Sequence, residues 1–88
     1  DRKIAVEIKT FGGISDIHDL ELALGQYRLY RYVLARRDPE RLCYVALTET
    51  AYTDNFFDVD AQDLIPAEDL RLIVFDPVKE TILRWIPQ

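Results

Sequence analysis

Apolar and polar residues alternate at the start of the chain and then recur at three- and four-residue spacing, a change of period that predicts a strand followed by a helix. Over Lys3 to Phe11, Ile4, Val6 and Ile8 point to one side of an extended segment, and Ala5, Glu7 and Lys9 to the other. Gly12-Gly13 ends that strand, and Ser15 or Asp16 is placed to cap a long helix extending to about Arg37. Ile17, Leu20, Leu24, Tyr27 and Leu34 share one helix face, which is expected to pack on a sheet. Asp38-Pro39 stops the helix just after Arg36 and Arg37, whose charges complement its C-terminal dipole.

The apolar run Leu42 to Thr48 predicts a second strand, and the strand-helix-strand order implies a right-handed crossover with the two strands parallel. Beyond it the pattern weakens. A short helix is expected over Asp54 to Phe57, and Asp58 to Asp69 reads as loop with at most a turn of helix. Arg71 to Asp76 and Thr81 to Ile86 predict a hairpin around Pro77-Val78-Lys79-Glu80.

With 88 residues, 49% of them hydrophobic, the chain has material for one domain with a modest core. No apolar run approaches the roughly 20 residues that span a bilayer, and the first residues lack a signal-peptide pattern, so a cytoplasmic protein without membrane contact is expected. Cys43 is the only cysteine and lies within the second strand, where a buried, unreactive thiol is expected. The chain has no methionine and begins with Asp1, which leads us to expect a longer natural chain with a further N-terminal segment.

The net charge of -5 is unevenly placed. Residues 1–41 hold eight Lys/Arg against seven Asp/Glu, whereas residues 42–88 hold three against nine. Between Tyr52 and Leu70 stand Asp54, Asp58, Asp60, Asp63, Glu68 and Asp69 with no base, a segment that repels a phosphate backbone. Any nucleic acid is therefore expected at the N-terminal half.

The strand spacing of Glu7 and Lys9 puts a carboxylate and an ammonium on one face. Such a pair can hold a divalent cation and offset charge on a phosphoryl group, although the same spacing also occurs on plain solvated strands. On the helix, Gln26 and Tyr30 lie one turn apart on one face, where an amide can position water and a phenol can donate to a phosphate. Arg28 and Arg31 flank Tyr30 and are candidates for phosphate contacts. Gly25 costs the helix about 1 kcal/mol relative to alanine, which suggests a close approach to the sheet or to a ligand. His18 lacks a second soft ligand nearby and is read as surface or local packing. Trp85 is read as closing the core or an edge, or, if exposed, as a contact surface.

A strand Glu-x-Lys followed by a helical Gln-x-x-x-Tyr resembles the PD-(D/E)XK nuclease superfamily, particularly its RecB-like branch. The wider strings resemble the XisH family of cyanobacterial fdxN element excision controlling factors along the whole chain. They are Asp1 to Phe11, Asp19 to Arg31, Leu72-Ile73-Val74-Phe75-Asp76 and Trp85-Ile86. The resemblance implies an α/β fold with a restriction endonuclease-like core, built as a mixed sheet with a long crossover helix and a C-terminal β-hairpin. It also implies a link to excision of a DNA element during heterocyst development, together with a recombinase and a companion factor, XisI.

Carried onto this sequence, the resemblance makes Glu7 a ligand of Mg2+ or Mn2+, the Ile8 carbonyl a further ligand, and Lys9 the water-orienting amine. Gln26 and Tyr30 would position water and phosphate. The superfamily also uses an acid from a preceding strand, and Asp1, roughly 20 Å along the strand from Glu7, cannot supply it. Two readings stay open: a non-catalytic factor that regulates a recombinase through DNA or protein contacts, possible as a homo-oligomer, and a Mg2+-dependent DNA endonuclease.

Overall fold

The computed structural model describes residues 3–8, 17–56 and 58–87, without the side chains of residues 17–19. In chain order the elements are β1 (Lys3–Ile8), α1 (Ile17–Arg37), β2 (Arg41–Thr48), α2 (Glu49–Asn55), α3 (Val59–Ala67), β3 (Leu72–Asp76) and β4 (Thr81–Ile86). One four-stranded sheet runs β1-β2-β3-β4. β1 is parallel to β2 and β2 to β3, while β4 returns antiparallel to β3 with an irregularity between Val74 and Phe75. The expected parallel pair, crossover helix and terminal hairpin are all present. Among the described residues no helix is long and apolar enough to cross a membrane.

All three helices cover one face of the sheet. Leu20 and Tyr27 of α1, Tyr52 and Phe56 in and just after α2, and Ile65 of α3 form one core with Cys43, Val45, Leu47, Leu72 and Val74. The expected stripe of α1 is therefore the packed one, with Leu24 and Leu34 against the same core. β2 is buried from Cys43 through Leu47 without a break, as expected for a central strand of a parallel sheet.

The acidic middle of the chain differs from expectation. The helix expected at Asp54 to Phe57 begins earlier, as α2, because the Thr48 hydroxyl accepts from the Ala51 N–H at 3.0 Å and caps it. The stretch expected to be loop contains α3, whose N-terminus is capped by Asp58 accepting from the Ala61 N–H at 2.8 Å. Asp69, with φ of 51°, then turns the chain in the left-handed region. Leu70 N–H reaches the Ile65 carbonyl at 2.9 Å and Asp69 N–H the Pro66 carbonyl at 3.2 Å, which closes the helix end. α1 holds this turn from the side: the Tyr27 hydroxyl donates to the Asp69 carbonyl at 2.8 Å, and Arg31 donates to the Glu68 carbonyl at 3.1 Å.

Candidate functional site: the groove between β1 and α1

α1 lies against β2 rather than squarely over β1, so a groove of about 440 Å3 opens between α1 and the edge strand. β1 contributes Ala5, Val6 and Glu7, β2 contributes Cys43, and α1 contributes Leu29, Tyr30, Val33, Leu34 and Arg37. The register explains the orientation: Glu7 pairs with Val45 and Ala5 with Cys43, so both share the helix-covered side of the sheet. Charge in this otherwise apolar groove comes from one carboxylate, Glu7, and one guanidinium, Arg37.

Glu7 is felt by its neighbours. Burial, and after it the Glu7 carboxylate, push the Cys43 thiol above its ordinary pKa, against the opposing pull of Arg31 and Arg71. That agrees with the expected buried, inert thiol.

Of the residues singled out from the sequence, Glu7 and Tyr30 both line this groove, one from each of its sides. Gln26 is exposed one turn towards the N-terminus of α1 from Tyr30 and is not among the groove's lining residues. Lys9 and the end of the expected strand at Phe11 lie outside the described residues, as do Gly12-Gly13, the caps Ser15 and Asp16, and the side chain of His18. Arg28 and Arg31 have partners within the chain: Arg28 lies 3.6 Å from the Glu68 carboxylate, and Arg31 lies 3.6 Å from that of Asp69 and over the Tyr27 ring. Arg37, expected from the sequence only to complement the helix dipole, also lines the groove. Its spacing from Tyr30 and Val33, seven and four residues, was the signal that places all three on one face.

The described residues do not by themselves fit Mg2+ or Mn2+. A hard cation takes about six oxygen ligands. Glu7 with the Ile8 carbonyl supplies a small part of that set, and no group of three or more His, Cys, Asp or Glu is placed to hold a metal among the described residues.

The architecture defines a mixed α/β protein with a split-faced sheet and a groove at its parallel edge. The family model "XisH protein" matches residues 1–83, so the chain belongs to the XisH family. Two solved structures are similar. An XisH family protein from Nostoc punctiforme PCC 73102 shares 36% identity at a TM-score of 0.85, over 93% of this chain and 65% of that one. An fdxN element excision controlling factor protein from Anabaena variabilis shares 35% identity at a TM-score of 0.83, over 94% of this chain and 65% of that one. This chain thus spans just under two thirds of the length of these relatives. Among curated proteins none matches.

Proposed function

We propose that this chain carries a restriction endonuclease-like core used as a DNA-element excision controlling factor, and that the groove between β1 and α1 is its working surface in regulating site-specific recombination. Family membership over residues 1–83 and the name of the Anabaena variabilis relative support the role. The observation that carries the choice of surface is that Glu7 on β1 and Tyr30 on α1 line the same groove. Arg37 gives that groove a cation for a phosphate, while the acids of residues 54–69 lie on α2, α3 and their connections. The partners this role requires are DNA, the companion factor XisI and a recombinase, in the cytoplasm of a cyanobacterial cell.

The Glu7 and Tyr30 arrangement also favours a second reading, a metal-dependent DNA endonuclease of the PD-(D/E)XK type. On that reading a further acid would have to come from outside the described residues. The test is purified protein, in the longer form seen in the relatives, with Mn2+ on duplex, nicked and single-stranded DNA. The accessory role predicts DNA binding without cleavage on all three. Cleavage lost in both Glu7→Gln and Lys9→Ala, with DNA affinity retained, would replace it with the nuclease reading.

A further inference from the structure

Gly25 lies in the middle of α1 on its outward side. A Cβ built there meets no atom within 4 Å, so the close approach to the sheet expected from the sequence does not occur. Nothing described in the chain requires glycine at a position where it costs the helix about 1 kcal/mol against alanine. Its neighbours form a second stripe: Leu22, Gly25, Leu29, Tyr32 and Arg36 alternate at three- and four-residue spacing, the pattern of a helix that pairs with another helix. The stripe runs along the side of α1 nearly opposite Leu20, Leu24 and Tyr27. Leu22, Leu29 and Tyr32 are 54%, 59% and 59% exposed. Around Gly25 the surface is concave, a shallow depression lined also by Arg28, Leu29, Arg31, Tyr32 and Ala35.

We propose that this stripe is a homodimer interface in which α1 helices of two copies pack antiparallel about a two-fold axis between Arg28 and Leu29. The stripe complements itself in that arrangement and in shape as well as charge. The two-fold sets Tyr32 of each copy over Gly25 of the other, so that a large ring fills the space left by the missing side chain. Leu29 packs beside the axis. Glu21, exposed near the start of the helix, comes level with Arg36 of the second copy. Arg36 is already positioned on that side, donating to the Tyr32 hydroxyl at 3.0 Å. Arg28 would face its own copy near the axis, and the Glu68 carboxylate 3.6 Å away offsets that like charge.

One helix pair buries less than a standard interface, so the association is weak and should be sought by sedimentation velocity up to about 200 μM. The wild-type chain is expected to sediment as a dimer that dissociates on dilution. Leu29→Glu should weaken association at least about tenfold while leaving the melting temperature nearly unchanged, because Leu29 is exposed in the single chain. Gly25→Ala should raise the melting temperature and weaken the dimer, a combination that an ordinary helix glycine would not show. Glu21→Arg should weaken association, and adding Arg36→Glu should restore it. A wild type that stays monomeric over the whole range, or a Leu29→Glu chain that dimerises as well as wild type, would overturn the proposal.

Discussion

The two faces of the sheet are built from alternate residues of the same strands and have different fates. Under the helices, Leu47, Leu72 and Val74 are 1%, 2% and 0% exposed. On the other face Tyr44, Ala46 and Ile73 are buried by neighbouring side chains of the sheet itself, with Ile4, Leu42 and Phe75 packed beside them. Trp85 lies edge-on to Tyr44 at 5.3 Å between ring centroids and stays 40% exposed, and Ile8 at the β1 edge is 67% exposed. Equal hydrophobicity therefore gives unequal burial. At the centre of the sheet neighbouring side chains suffice to bury the open face, whereas towards its edges a side chain is enclosed only where a second layer of structure lies over it.

The largest effect should come from the covered face. Leu47→Ala removes a fully buried side chain between the sheet and the helices and should cost about 3 kcal/mol in chemical denaturation, enough to leave a small domain marginal. Trp85→Ala on the open face should cost about 1.5 kcal/mol, since the ring gives up its contact with Tyr44 but was never enclosed. Ile8→Thr should change stability by less than about 0.5 kcal/mol. An equal cost for Leu47→Ala and Trp85→Ala would mean that both faces are covered in solution.

A smaller effect sharpens the same contrast at the groove. Because burial and Glu7 hold the folded Cys43 thiol above its unfolded pKa, its contribution to stability is complete below the unfolded value and is lost as pH rises through the folded one. Melting temperature followed from about pH 7 to 10 should therefore fall less steeply in Cys43→Ala than in wild type. Glu7→Gln removes one of the two causes and should give an intermediate slope. An unchanged slope in Glu7→Gln would separate Glu7 from Cys43.

Legibility in the sequence followed the strength of local pattern. The β1, α1, β2 order and the terminal hairpin were readable because alternation, a helical stripe and turn residues each repeat several times. α2 and α3 were not, although Thr48 and Asp58 are good caps. The run of acids outweighs in the local pattern the helical spacing of Ala61, Leu64 and Ile65, which face the core. At the site, Glu7 and Tyr30 were readable from strand and helix periods. The groove was not, because it arises from how α1 sits over β2 instead of β1, a packing outcome that no single element encodes. Gly25 shows the same limit: its cost was visible, but its outward direction required the fold.

The proposed working surface, the groove between β1 and α1, is tested most directly at Val33. Val33 lines that groove and is 38% exposed, whereas Val59 lies on α3 at 74% exposed, and thermal melts of both glutamate variants show whether each chain stays folded. Excision should be measured by amplification across the rejoined junction in cells whose own copy of the gene is deleted and which carry wild type, Val33→Glu or Val59→Glu. Val33→Glu is expected to lower excision at least about tenfold at equal protein level while Val59→Glu restores it, because a carboxylate in the groove repels the phosphate that Arg37 would meet. Full excision with Val33→Glu would contradict the account.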